Sequence, residues 1–279
     1  DFGSDLDLIF VYKGATNGKS SIEIPEISTK LAQYILSLII GDGGAGKLYD
    51  VDARLRPEGS SSVLAVSIEE YKRYLHQRAS VWERLALIRA RPLTGNQELG
   101  TDIIRSLRNF IYHRPFTRSE VKKIMDIRAA KVENTLKLYP GLINIKSGPG
   151  GIFDIDLIAH SYAAHHGAEK PPLQCRETPH ILSALAFEKV LDRHVASSLR
   201  EWYFFLCDVE KSLRMSSGRS INTLPNTETE LARVSRLLGF KNIRRFKKRL
   251  DDVLSLTKEL YDRLMSELFT LVEEDKKQR

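Results

Sequence analysis

Two kinds of hydrophobic spacing divide this chain. Before about residue 115, short β-branched and aromatic runs alternate with helical stretches. Leu6 to Tyr12 (LDLIFVY) reads as a buried strand. Ser28 reads as the N-cap of a helix running to about Ile40, followed by a glycine-rich turn from Gly41 to Gly46. Leu48 to Leu55 (LYDVDARL) reads as a second strand and Val63 to Val66 as a third. Ser67 and Glu70 make a capping box that starts a helix at Ile68. Leu85 to Arg91 (LALIRAR) reads as a further strand ended by Pro92, and Asn96 caps a helix reaching toward Phe110–Tyr112.

From Thr117 onward every signal is helical. Thr117 and Glu120 form a second capping box, and Val121, Ile124, Ile127 and Ala130 recur at helical spacing. Further helices are expected at Ile152–His166, Thr178–Leu191, Val195–Arg214, Thr227–Leu238 and Ile243–Phe269, with Gly239 as a helix stop. The expected fold is therefore α+β. A small mixed-sheet domain, residues 1–115, precedes an all-α domain, residues 116–279, with the boundary near Arg114–Thr117.

Composition adds few constraints. With 42% hydrophobic residues over 279 positions, the chain has enough apolar material for a real core. No apolar run approaches the ~20 residues that span a bilayer, so no membrane role is expected. Cys175 and Cys207 have no metal-like spacing, and a reducing compartment, the cytoplasm, is expected. The net charge of +7 includes a dense cluster from Lys241 to Arg249. That cluster reads either as a site for an anionic partner or as a solvated helix face, and the second is the simpler reading. A nucleic-acid partner is not expected, since no recognition module is present. The chain opens at Asp1, already inside a motif, and a fragment of a longer protein is expected.

The candidate chemistry lies in carboxylates. Asp5 and Asp7 are two residues apart at the start of a strand, so both project from one face. Two adjacent carboxylates repel unless a cation lies between them, and Mg²⁺ prefers such hard oxygen ligands. Asp52, in the second strand, completes the cluster if that strand pairs beside the first. Spacing alone leaves another reading open, because Asp-x-Asp also arises by chance and as a turn cap.

Four strings carry a resemblance. They are Gly3-Ser4-Asp5-Leu6-Asp7-Leu8-Ile9-Phe10, Val51-Asp52-Ala53-Arg54-Leu55-Arg56-Pro57, Trp82-Glu83-Arg84 through Arg89-Ala90-Arg91, and Gly148-Pro149-Gly150-Gly151-Ile152-Phe153-Asp154-Ile155-Asp156. The first resembles the active-site strand of DNA-polymerase-β-type nucleotidyltransferases. Together, in this order, the strings resemble the glutamine synthetase adenylyltransferases. The resemblance implies transfer of AMP from ATP to a tyrosine hydroxyl of glutamine synthetase with release of pyrophosphate. It also implies two Mg²⁺ ions on Asp5, Asp7 and Asp52, and regulation through a PII-type nitrogen signalling protein. In the family a related second module removes AMP by phosphorolysis. The wording of the first two strings is closer to the adenylylating half. A Gly-rich, phosphate-contacting segment that the family carries upstream of the Asp-x-Asp strand is not in this sequence. A non-catalytic module of the same fold is a further alternative, against which the intact Asp5, Asp7 and Asp52 argue.

The resemblance assigns nucleotide contacts to Gly3, Ser4, Arg54, Arg56, Arg89, Arg91, Gly150, Gly151, Asp154 and Asp156. Arg54 and Arg56 suit phosphate oxygens or the neutralisation of Asp52. Arg89 and Arg91 are expected to share a strand face, while Glu83 and Arg84 suit a structural ion pair. The Gly148–Gly151 turn opens a helix, where free N–H groups bind anions, although acidic residues in a first turn also simply favour the helix dipole. Asp156 stands where the family commonly has Glu, with a shorter reach. Gly41–Lys47 imitates a P-loop, but a helix precedes it, a strand follows, and Leu48 stands where Ser or Thr is required. His160, His165 and His166 lack the i,i+4 spacing of a helical zinc pair and read as packing residues.

Overall fold

The computed structural model describes residues 5–14, 23–41 and 46–277. Contacts divide the chain into two compact units, Asp1–Phe110 and Ile111–Arg279.

In the first unit the strands are short and parallel. β1 (Leu6–Asp7) pairs with β3 (Val51–Asp52), and β2 (Phe10–Tyr12) pairs with β4 (Ala65–Ser67). The single strand expected over Leu6–Tyr12 is thus two pieces, because its halves find different partners. The strand expected over Leu48–Leu55 keeps only Val51–Asp52. Helix α1 (Glu23–Ile40) starts five residues before the expected cap at Ser28 and takes Pro25 into its first turn. Proline is tolerated there because the first-turn N–H groups have no intrahelical acceptor.

After β4, Ser67 caps α2 (Ile68–Gln77), its hydroxyl accepting from the Glu70 N–H at 3.1 Å. The strand expected over Leu85–Arg91 is instead α3 (Val81–Ala86) followed by a single 3-10 turn, Leu87–Arg89. Ser80 and Glu83 form a capping box that commits this segment to helix. Asn96 then accepts from the Leu99 N–H at 2.8 Å at the start of α4 (Gln97–Tyr112). The core here comprises Ala65, Val66, Ile68, Tyr71, Leu75, Leu85, Leu87, Ile88 and Leu107.

The second unit is helical. α5 (Arg118–Leu138) opens with the Thr117–Glu120 capping box. α6 (Ile152–His166), α7 (Thr178–Phe187), α8 (Arg193–Ser217), α9 (Glu228–Leu237) and α10 (Ile243–Lys277) follow. α6 is buried almost all round, with its polar side chains Asp154, His160, Ser161 and His165 buried beside the apolar ones, and it packs against α7, α8 and α10. Phe246, Leu250, Val253, Tyr261, Leu264 and Leu268 supply the buried stripe of α10. Gly239 turns the chain between α9 and α10 at φ +75°, a left-handed conformation that glycine adopts freely. Among the described residues, no helix is long and apolar enough to cross a membrane.

Candidate active site

The β1–β3 pair brings two of the three expected carboxylates together. The register matches Leu6 with Val51 and Asp7 with Asp52. Leu6 donates its N–H to the Asp50 carbonyl at 2.8 Å, and Leu8 donates to the Asp52 carbonyl at 2.9 Å. Those bonds pin the register, so Asp7 and Asp52 are lateral neighbours on one face, with strand axes about 4.8 Å apart. Asp5, exposed and just before β1, acts on the Arg54 guanidinium through its charge.

Arg54 lies over this acidic edge. Its Nε donates to both Asp52 oxygens at 2.9 Å, its Nη2 also donates to Asp52, and its backbone N–H donates to Asp52 Oδ1 at 2.9 Å. The guanidinium bonds hold the Asp52 carboxyl below the usual aspartate range. In return the Arg54 guanidinium is held more basic by Asp52 first, then by the charges of Asp7 and Asp5. One cation thus sits within the field of all three carboxylates. Arg56 adds its charge to the field at Asp52 but, among the described residues, makes no hydrogen bond to it. It turns back on its own loop, donating to the Ala53 carbonyl and, at 3.4 Å, to the Ser62 carbonyl. Its Nε is buried with no hydrogen-bond partner among the described residues.

The donor chemistry at this edge suits Mg²⁺, since all the acidic ligands are carboxylate oxygens. As the side chains stand, Arg54 holds Asp52, and among the described residues no group of three acidic, His or Cys side chains is gathered tightly enough to grip an ion.

Gly3 and Ser4 lie outside the described residues. Arg89 ends the 3-10 turn and Arg91 follows it in an irregular segment. Both are exposed, and they do not share the strand face expected of them. Glu83 is buried and accepts from the Tyr74 hydroxyl at 2.7 Å and from the Ser80 N–H at 2.7 Å, so its structural role stands. Burial, followed by that bond to Glu83, drives the Tyr74 hydroxyl well above the ordinary phenol range. The Ser80-x-x-Glu83 spacing, readable in the sequence, identified this helix start and was the missed signal.

In the second unit the glycine-rich turn has a packing role. Asn144 Oδ1 accepts from the N–H groups of Lys146 and Ser147. Gly148, Gly151, Ile152, Phe153 and Asp154 donate to backbone carbonyls, and Gly150 donates to Asp154 Oδ2 at 2.8 Å. Every N–H from Lys146 to Asp154 is therefore spent inside the protein. The expected anion site at the start of α6 has no free donor, because those donors close the turn. Gly150 adopts φ +73°, and a Cβ there would run into the Leu254 carbonyl. Gly151 would likewise meet the Ile145 and Lys146 carbonyls. Asp154, 1% exposed, takes a two-pronged ion pair from Arg128, at 3.0 and 2.8 Å. Arg128 in turn lies over the Tyr261 ring at 4.5 Å. Asp156 accepts from the Thr178 hydroxyl at 2.6 Å, and the same hydroxyl lies 3.3 Å from His160 Nε2. His165 accepts from the Phe116 N–H at 3.1 Å, in keeping with a packing role. Of the Gly41–Lys47 turn, residues 42–45 lie outside the described residues; α1 precedes it and β3 follows.

Comparison with known proteins agrees with the first-unit motifs. Residues 1–106 match the family model described as glutamate-ammonia ligase adenylyltransferase. Residues 121–265 match the model described as GlnD PII-uridylyltransferase. Among similar proteins are three named bifunctional glutamine synthetase adenylyltransferase/adenylyl-removing enzyme. That of Agrobacterium fabrum is 30% identical over 96% of this chain, that of Rhizobium meliloti 31% over 96%, and that of Pseudomonas putida 32% over 88%. The chain spans 27%, 27% and 25% of those relatives' lengths, respectively. With residues 1–106 matched to that adenylyltransferase model and 96% of the chain aligned to enzymes of that name, the chain belongs to the glutamine synthetase adenylyltransferase family.

Proposed function

We propose that this chain is an adenylylating module, which moves AMP from ATP to a tyrosine hydroxyl of glutamine synthetase and releases pyrophosphate. In this reading the first unit is the nucleotidyltransferase domain and the second is its helical-bundle partner. The observation that carries it is the register pairing of Asp7 with Asp52, with the Arg54 guanidinium bonded to Asp52. Like charges on adjacent strands disfavour folding unless a cation compensates them. A face that sets Asp7 beside Asp52 is therefore suited to positive charge.

Asp5, Asp7 and Asp52 would hold the two Mg²⁺ ions. Bound there, Mg²⁺ supplies charge neutralisation at the transferring phosphate and lowers the pKa of the acceptor hydroxyl. Arg54 is exposed and attached to the cluster by one carboxylate, so it is free to turn from Asp52 to a phosphate oxygen as charge develops there. Bond formation from the tyrosine oxygen to the α-phosphorus, with cleavage toward the β-phosphate, completes the exchange. Regulation through a PII-type protein and a cytoplasmic setting belong to the same reading and rest on the family resemblance.

The test uses ATP labelled at the α-phosphate, Mg²⁺ and unmodified glutamine synthetase. Label on a glutamine synthetase tyrosine, with release of pyrophosphate, supports the proposal. ADP formed from adenylylated glutamine synthetase and inorganic phosphate, without label transfer in the first assay, assigns the chain to AMP removal instead. Neither reaction, together with no Mg²⁺ binding by calorimetry, refutes a catalytic role.

A further inference from the structure

The chain's excess of positive charge is concentrated in one corner. Between Leu231 and Leu250 lie Arg233, Arg236, Lys241, Arg244, Arg245, Lys247, Lys248 and Arg249, with no Asp or Glu among them. Without these eight cations the chain's 43 basic residues fall to 35, one fewer than its 36 acidic residues. The corner is the end of α9, the Gly239 turn and the start of α10, and the two helices pack against each other. Seven of the eight are exposed, and among the described residues only Arg249 is ion-paired, to Glu201.

Folding alone gives no reason for this pattern. Cations in the first turn of a helix oppose its dipole, and the first turn of α10 has no acidic residue. Arg244 and Lys248, and Arg245 and Arg249, are like charges at i,i+4, an unfavourable spacing in a helix. Further along, α10 follows the ordinary rule for a solvated face: Lys258 pairs with Asp262 at 2.7 Å and Arg263 with Glu267 at 3.7 Å. One helix thus pairs its cations along its later turns, while at its start, among the described residues, Arg249 alone is ion-paired and the first acidic residues, Asp251 and Asp252, come one turn beyond Lys247 and Lys248.

We propose that the α9–α10 corner is a docking surface for an acidic face of a protein partner. Two observations favour protein over nucleic acid. Leu237, one turn beyond Arg233, is 53% exposed among the cations, as the apolar centre of a protein interface with a charged rim would be. The corner's aromatic rings are turned onto one another, Phe240 against Phe246 at 5.6 Å and against Phe205 at 6.3 Å, and so offer no platform for stacked bases. If the module acts on glutamine synthetase, that protein is the partner, and this identification rests on the proposed function. The acidic-face assignment does not.

The experiment measures association of the full chain with glutamine synthetase, with polyglutamate and with single-stranded DNA of equal charge. It compares the parent with an Arg244→Glu/Lys247→Glu/Lys248→Glu variant. The reversed chain complements the helix dipole, and a thermal melt beside the parent checks that it folds. It should lose at least about tenfold in affinity for both protein probes, and parent binding should weaken with salt. A triple glutamine variant gives an intermediate loss and serves if the reversed chain does not fold. Unchanged affinity for polyglutamate after reversal overturns the docking surface, as does tighter parent binding to DNA than to polyglutamate. Reversal-sensitive polyglutamate binding with no association of the parent with glutamine synthetase supports the surface and refutes the partner assignment.

Discussion

Asp7 and Asp52 are register partners across the β1–β3 pair, and the guanidinium that answers their charge comes from Arg54, two residues beyond Asp52. Replacing Asp7 with Asn removes one charge from this face without removing a packed side chain, because Asp7 is exposed. Transfer of AMP should fall at least about a hundredfold, since the carboxylate acts where charge develops. The melting temperature should move by no more than about 2 °C, the behaviour of exposed substitutions. A radiolabel assay and a thermal melt on the same preparation check both. Retained transfer removes Asp7 from the machinery.

Arg54→Ala should change the titration of Asp52. In the parent, the guanidinium keeps the Asp52 carboxyl below its ordinary range. Without it the carboxyl should titrate higher than in the parent, as followed by carbon-13 chemical shift. The sign for stability follows from linkage. A carboxyl with a depressed native pKa adds stability above its unfolded pKa, and that stability disappears as pH falls through the native pKa. The parent should therefore be more stable than Arg54→Ala above about pH 4, with the two curves converging in stronger acid.

Much of this was legible in the chain itself. Ser67-x-x-Glu70, Thr117-x-x-Glu120 and Gly239 mark helix ends where the structure has them, because caps are local chemistry. Asp7 and Asp52 meet through the β1–β3 register, a pairing that the sequence alone leaves as a condition. Leu85–Arg91 was misread because a short apolar run has no period that separates strand from buried helix, and the deciding box, Ser80 with Glu83, lies upstream. The Leu6–Tyr12 strand splits because pairing is long-range: β1 finds β3 and β2 finds β4. The Gly148–Gly151 turn reads as an anion site because a glycine turn before a helix has the same sequence whether its N–H groups are free or spent. The Asn144 side chain, the Asp154 carboxylate and the backbone carbonyls that take those donors distinguish the two cases.

The Arg128–Asp154 pair should be a large structural term. Asp154→Ala leaves the Arg128 guanidinium without its carboxylate, in a site where Arg128 is only 12% exposed, and leaves the Gly150 N–H without an acceptor. Loss of one partner of a buried pair costs about 3–5 kcal/mol. Adding Arg128→Met should recover part of that loss, since the stranded charge is then gone and the two effects are not additive. Urea unfolding of the single and double variants measures both terms. A single-variant loss below about 1 kcal/mol would show the pair to be solvated.

Gly150→Ala tests whether the glycine-rich turn serves packing or ligand binding. Two independent penalties meet at this position. The backbone is left-handed, at φ +73°, which strains an alanine by about 1 kcal/mol or more. The added methyl also falls on the Leu254 carbonyl of α10, which is backbone within a helix and has little room to retreat. The turn must open to accept the methyl, and opening it pulls the Gly150 N–H away from Asp154 and loosens the Arg128 clamp. A stability loss of at least about 2 kcal/mol is expected by chemical denaturation. ATP affinity at a temperature where the variant stays folded should be unchanged, because the turn's donors were never available to phosphate. Weakened ATP binding in a variant of parental stability would reverse the assignment and return the turn to the nucleotide.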